Sequence, residues 1–312
     1  PDSLPPKESD LPQNPRAGDT WTEPVTGMEF VWVPGGCYMM GSPLTGKPDQ
    51  TSLEKKFLWY KALAAISCLL PVGCVSSSRS FYDIHGYYDD ETPVHEVCVD
   101  GFWMGRYEVT IDQYRKFLQA SGNTSGVDWD DDDCPVRKGG SYSLAGNKFS
   151  RSGSQPMVEV SWHGAKAFAA WLSDRTGETF RLPTDAEWEY AARSGGREEK
   201  YAGGSNVDRV AWYDGNSGGR THKVGTKAPN GLGLYDMSGN VWEWCEDVYD
   251  EDAYSKHSRN NPLVASGGSR RVNRGGGWNC SPRDVRAAGR DGDPADFADS
   301  GLGFRLCLSR VR

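Results

Sequence analysis

The sequence predicts an α+β domain of few helices, short strands and long loops. Three observations carry that reading. Only three stretches combine a helical apolar stripe with start and stop signals. The other apolar residues alternate in runs of a few positions, the period of strands. Finally, 38 of the 312 residues are Gly, well above the average of about 7%. With 12 Trp, 14 Tyr and 37% hydrophobic residues, the chain has the apolar content of a folded domain and the length to bury a sizeable core.

Residues 1–24 carry Pro5, Pro6, Pro12 and Pro15 among charges and read as an extended arm; residues 25–312 then form the domain. Met28–Met40 reads as a strand, a Pro-Gly-Gly turn and a second strand. An insertion follows at about 43–90. It contains Phe57–Val75, an apolar stretch interrupted by Lys61, preceded by Lys55 and Lys56 and closing on Leu70–Cys74. An inserted buried helix is the reading its mid-chain position favours. A lipoprotein-type signal fits its composition but not its position, and Lys61 and Pro71 break it as a membrane span. Val94–Tyr107 is strand-like, with Asp100-Gly101 as a hairpin turn.

Thr110–Ser121 is a helix, opened by a capping box of Thr110 and Gln113, with Tyr114, Phe117 and Leu118 as its stripe. Asp128–Asp133 reads as a solvated acidic turn. Ser161–Thr176 is a second helix, stopped by Gly177. Thr184–Ser194 is a third, with Thr184 and Glu187 as another capping box. After Gly195 the chain is turns and short strands.

Net charge is −8 without any Lys/Arg run, which argues against a nucleic-acid partner. The eight Cys, at 37, 68, 74, 98, 134, 245, 280 and 307, contain no C-x-x-C, so a zinc ribbon or thioredoxin-like motif is not expected. Disulfides of an exported protein and buried free thiols both remain open. No Ser-His-Asp arrangement or phosphate loop is recognisable, and no organic cofactor is expected.

Six blocks carry a resemblance. FVWVPGGCYMMGS (30–42), ETPVHEVCVDGFWMGRYEVTIDQYRKFL (91–118) and QPMVEVSWHGAKAFAAWLS (155–173) come first. RLPTDAEWEYAAR (181–193), NGLGLYDMSGNVWEW (230–244) and RVNRGGGWN…GLGFRL (271–306) follow. In this order they resemble the formylglycine-generating enzyme, or sulfatase-modifying factor, family. The resemblance implies a C-type lectin-like fold. It also implies calcium on the Asp236 and Glu243 side chains and the Gly239 and Val241 carbonyls, an all-oxygen set that suits Ca²⁺. The alternative is that Asp236 and Glu243 only hydrogen-bond their own loop.

The family's oxidase uses two cysteines five residues apart in its last block. Here Cys280 stands at the first position and Val285 at the second. One thiol cannot form the intramolecular disulfide or share copper with a second. A partner brought close by folding, such as Cys307, keeps the oxidase as the alternative function. The five His, at 85, 95, 163, 222 and 257, form no i, i+4 helical pair of the kind an iron-using branch of the fold would need.

Residues 279–312 lack Lys, Glu, Gln, Met and Trp altogether. This resembles the variable proteins of diversity-generating retroelements, whose last block (here 273–306) is rewritten at template adenines. Rewritten AAC and AAT codons yield residues of codon type NNC or NNT, never those five. The resemblance nominates Asn279, Cys280, Ser281, Asp284, Gly289, Asp291, Gly292, Asp293, Asp296, Phe297, Ala298, Asp299 and Ser300 as ligand-binding positions. Arg274, Gly275, Gly276, Trp278, Arg283, Arg286, Arg290, Gly303, Phe304 and Arg305 would be the constant frame. The expected protein is a non-enzymatic surface receptor or adhesin, exported to the bacterial cell surface as a lipoprotein. It would meet a protein or other macromolecular ligand, with no membrane span and with any lipid anchor outside residues 1–312. The varied side chains should share one exposed face above buried Trp278, Phe304 and Leu306, because a close-packed core does not accept both Gly and Phe at one position.

Overall fold

The computed structural model describes residues 11–42, 88–122, 149–150 and 152–309. The apolar segment Phe57–Val75 and the acidic Asp128–Asp133 lie outside these residues.

Strands β1 (Thr20–Thr22), β2 (Glu29–Val33), β3 (Gly36–Met40), β4 (His95–Val99) and β5 (Phe102–Gly105) open the fold. The Pro-Gly-Gly and Asp-Gly positions are corners, not hairpin turns. β2 pairs with β5 and β3 with β4, both antiparallel, with Val33 opposite Phe102 and Gly36 opposite Val99. Together they make one long ribbon that bends once and hands its two halves to different sheets. The physical reason is close approach: a Cβ on Gly35 would lie 2.8 Å from the Gly101 nitrogen and 2.9 Å from the Val99 carbonyl oxygen, so only Gly lets the two backbones cross there. A disulfide joins Cys37 to Cys98 across the β3–β4 half.

The arm expected over residues 1–24 already contains domain structure. β1 pairs with β2, Trp21 opposite Phe30, and Trp21 sits in the core against Phe30, Trp103 and Phe180. A buried Trp offsets the entropy of ordering three residues.

The three expected helices form as α1 (Ile111–Ser121), α2 (Trp162–Thr176) and α3 (Asp185–Ala192). Thr110, Ser161 and Thr184 cap them, and both capping boxes close. α3 stops at Ala192, before the expected Ser194, because Ser194, Gly195 and Gly196 all turn to positive φ. Two single-turn helices, α4 (Val207–Val210) and α5 (Ala253–Lys256), are too short to leave a periodic signal.

Further strands are β6 (Phe180–Arg181), β7 (Trp242–Val248), β8 (Arg270–Arg274), β9 (Arg290–Pro294), β10 (Leu302–Gly303) and β11 (Cys307–Ser309). One sheet runs β1-β2-β5-β11-β6, a second runs β10-β7-β8-β9, and β3-β4 form the third. Both faces of the five-stranded sheet are buried. Phe30, Trp103 and Leu308 face a core built with Tyr114, Phe117 and Phe168 of α1 and α2. Their neighbours Val31, Met104 and Cys307 face a second core built with Trp188 and Ala191 of α3 and with Val272. Phe304, fully buried, meets Tyr114 and Phe168 edge-on.

Candidate functional site

The last block is held by buried arginines. Arg274 on β8 pairs with Asp185 and Glu189 of α3, and donates to the carbonyls of Ala287, Ala288 and Gly289. Arg286 forks onto Glu91 at 2.7 and 2.5 Å. Arg290 reaches Asp185 at 3.0 Å, and Arg305 forks onto Glu243 at 2.6 and 2.5 Å. Each buried cation is matched, which offsets the desolvation of the pair. Arg274 grips backbone oxygens, so its hold does not depend on which side chains that loop carries. Gly275 and Gly276 take positive φ, and a Cβ on Gly276 would lie 2.7 Å from a Val285 methyl. Trp278 is buried, stacks on Phe149 at 4.8 Å and donates from Nε1 to the Ser300 carbonyl. Leu306 is buried as expected.

Above this frame Asn279, Asp296 and Phe297 are exposed, and Cys280, Ser281, Asp291, Asp293, Ala298, Asp299 and Ser300 are half-buried. Several of them converge. The Oδ1 atoms of Asn279 and Asp299 each lie 3.3 Å from the point where a Cβ on Gly301 would sit. The Asp293 carboxyl is held above its usual range by burial, with the charges of Asp291 and Asp299 adding to the shift. The start of α2 abuts the same segment: Trp162 N–H donates to the Ala295 carbonyl, and His163 lies 3.5 Å from Asp296.

Three nominated positions do not belong to this face. Asp284 is buried: it accepts from the Tyr88 hydroxyl and from the backbone and hydroxyl of Ser281. Gly289 is buried where a Cβ would lie 2.5 Å from the Asp284 carbonyl oxygen. Gly292 is buried where a Cβ would lie 2.4 Å from the Tyr249 ring. Free exchange of side chains is therefore excluded at all three. The codon rule could not detect this, because Asp and Gly satisfy it for unrelated reasons. The residues responsible, Tyr88 and Tyr249, lie far off in the chain. Glu91 and Asn273, which also support the block, carried no local signal either.

Asp236, Gly239, Val241 and Glu243 line one buried corner. Asp236 sits at φ 56°, accepts from Gly225 N–H at 2.6 Å, and its other oxygen is buried with no hydrogen-bond partner. Burial, followed by the Glu243 charge, pushes its carboxyl up to about 6 against the pull of Arg305. Glu108 nearby is raised well above its usual range, by burial first and then by Asp236 and Glu243. Glu243, however, has both oxygens on Arg305 and a further bond from Trp188 Nε1. It is not available to an ion while that pair holds, so the four residues as arranged do not fit calcium. Among the described residues no group of three or more His, Cys, Asp and Glu is arranged to hold a metal.

Val285, at the position of the second thiol, is buried with Tyr201, Val210 and Ala211, and Cys280 packs against this cluster. Cys307 is not brought to Cys280. It lies in the sheet core with its thiol on the Leu182 carbonyl, and burial pushes it and Cys245 well above the thiol range. His95 contacts His257 at 3.1 Å, and His222 stacks on Trp212. Among the described residues no helix is long and apolar enough to cross a membrane.

Residues 17–310 match the family described as sulfatase-modifying factor enzyme 1-like domain. A serine/threonine-protein kinase of Chlamydia caviae is 33% identical over 72% of this chain and 35% of the kinase, so the chain spans about a third of that relative. The formylglycine-generating enzyme of Streptomyces coelicolor is 30% identical over 70% of this chain and 81% of the enzyme. The solved structure of Treponema denticola variable protein 1 superposes with a TM-score of 0.64 at 26% identity, covering 93% of this chain and 98% of that one.

Proposed function

This chain belongs to the sulfatase-modifying factor enzyme 1-like family and has its C-type lectin-like fold, and on that premise we propose that it is a ligand-binding receptor rather than an oxidase. One observation carries the reading: the last block divides into a buried frame of paired arginines, glycines and Trp278, and a set at 279–281, 291 and 293–300 that is exposed or half-buried. Surface residues on a rigid frame can change with little effect on stability. The likeness to a Treponema variable protein supports retroelement rewriting of the exposed set. Val285, packed where a second thiol would be needed, supports the absence of oxidase chemistry. The Cys37–Cys98 disulfide supports export to an oxidising compartment, in keeping with a place on the bacterial surface.

The test is substitution in bulk. Libraries of NNC and NNT residues at Asn279, Asp296, Phe297, Ala298 and Ser300 should leave most members folded by thermal melting. The same libraries at Asp284, Gly289 and Gly292 should leave few. Equal tolerance at both sets would remove the receptor reading. So would conversion of a sulfatase-type Cys peptide to formylglycine, seen by mass spectrometry and lost in Cys280→Ser.

A further inference from the structure

Two histidines at the edge of the β3–β4 ribbon form one hydrogen-bonded chain. β3 takes one edge of β4, and residues 259–261 take the other. There Cys98 N–H donates to the Arg259 carbonyl at 2.7 Å, Asn261 N–H to the Cys98 carbonyl at 2.8 Å, and Asp100 N–H to Asn261 Oδ1 at 2.8 Å. Just before this segment, His257 Nδ1 lies 3.1 Å from His95 Nε2, and His95 Nδ1 lies 3.0 Å from the Pro93 carbonyl. A carbonyl only accepts, so His95 Nδ1 carries a hydrogen. In the neutral pair His257 Nδ1–H then donates to His95 Nε2. The last nitrogen, His257 Nε2, is a bare acceptor, buried without a hydrogen-bond partner. Both rings pack on Tyr254 of α5, at 5.0 and 5.4 Å. The charged groups that face His257 are Asp185 on α3, Arg274 on β8 and Arg290 on β9. On the exposed side Arg259 pairs with Glu96 of β4 at 2.6 Å, and Lys256 with Asp250 at 2.7 Å. Burial, with His95, Arg290 and Arg274 adding, holds His257 down to about 4 against the pull of Asp185.

We propose that His95 and His257 are an acid-sensitive latch: acid drives residues 257–261 off β4 and bares that strand edge. A 3.1 Å line between two ring nitrogens has room for one hydrogen. The closed pair therefore carries at most three N–H groups and one positive charge, whereas separated rings carry four and two. Opening takes up one more proton. Below the ordinary histidine value of about 6.5 it becomes favoured by about tenfold per pH unit. What opens is a short added strand held by three backbone-edge hydrogen bonds and an exposed ion pair. The freed Cys98 N–H and carbonyl are a template for another strand. Asp236 and Asp247, whose carboxyls are raised by burial, act in the opposite sense, because acid steadies a fold that holds its protons tightly. The inference does not depend on the receptor reading.

The test is amide hydrogen exchange on the full chain between about pH 7 and 4.5, corrected for the intrinsic pH dependence of exchange. Protection of the Cys98 and Asn261 amides should fall about tenfold per pH unit below about pH 6. The Val109 amide, bonded to the Phe304 carbonyl in the core, should keep its protection. His257→Gln keeps a hydrogen bond to His95 without a second charge and should flatten the fall. His95→Gln gives a protonated His257 an amide oxygen to donate to and should make the fall shallower, a readout that stands if the first variant folds poorly. Glu96→Gln breaks the neighbouring ion pair without touching the histidines and should leave the slope in place. Flat protection in the wild type would overturn the latch, as would an equal fall at Val109. So would a slope unchanged in both histidine variants, or one that disappears in Glu96→Gln.

Discussion

Asp236→Asn should make this protein more stable at neutral pH. Asp236 is buried, and its carboxyl is raised to about 6 against an ordinary value near 3.9. A raised carboxyl binds its proton more tightly in the folded chain than in the unfolded one. Between about pH 4 and pH 6 the folded state therefore holds a proton that the unfolded state has released, and stability falls as pH rises. Above that window the deficit is complete, about 3 kcal/mol for a shift of about two units. Asparagine removes the titration. It keeps an oxygen for the Gly225 N–H and tolerates the positive φ. An amide NH₂ without an acceptor returns about 1 kcal/mol of that, leaving a gain of about 2 kcal/mol at pH 7.5. For a domain of this size that is roughly 4–8 °C in melting temperature. The assay is thermal unfolding of both proteins from pH 4.5 to 8, and the gain should vanish at the acid end. A variant less stable at every pH would mean that Asp236 is ionised and matched in the folded protein. Added calcium identifies the match: if it raises the wild-type melting temperature and not the variant's, the ion displaces Arg305 from Glu243 and the pairing described above is wrong.

Three further outcomes are expected. Arg305→Met strands Glu243 beside Glu108 and Asp236 and should cost about 3–5 kcal/mol; adding Glu243→Gln should recover much of it, and a double variant no better than the single in urea titration would refute the pairing. Gly289→Ala, with its Cβ 2.5 Å from a backbone oxygen, should cost about 1–3 kcal/mol, whereas Asp296→Tyr should stay within about 0.5 kcal/mol, both by thermal melting. Cys37→Ser with Cys98→Ser releases a closure spanning 61 residues and should cost about 2–5 kcal/mol; an unchanged urea midpoint would contradict that.

What the sequence made legible was local or came in whole blocks. The helix starts at Thr110, Ser161 and Thr184 could be read because a cap and its partner lie three residues apart. The ribbon corner could not. Asp-Gly serves a hairpin and a bend equally well, and the partner of Gly101 is Gly35, across the insertion. Trp21 was assigned to an arm because prolines precede it, although a single aromatic was enough to bring Thr20–Thr22 into the sheet. At the site, Trp278, Arg274, Arg286, Arg290 and Arg305 are buried, whereas Arg283, expected beside them in the frame, is half-buried. The burial of Asp284 was not legible, because its partner Tyr88 lies 196 residues away. The Glu243–Arg305 pair was likewise invisible: a motif nominates a carboxylate but does not say which cation reaches it first.

β11 lies between β5 and β6, inside the five-stranded sheet rather than at its rim. Its codons come after the block in which rewriting is proposed. A frameshift anywhere in 279–300 therefore removes a central strand and leaves Met104 and Phe180 without their ladder partners. Under the proposed rewriting, codons ending in C or T never become stops, so diversification always reaches β11, and out-of-frame copies do not. On that proposal the topology acts as a checksum: only a block copied in frame can close the five-stranded sheet.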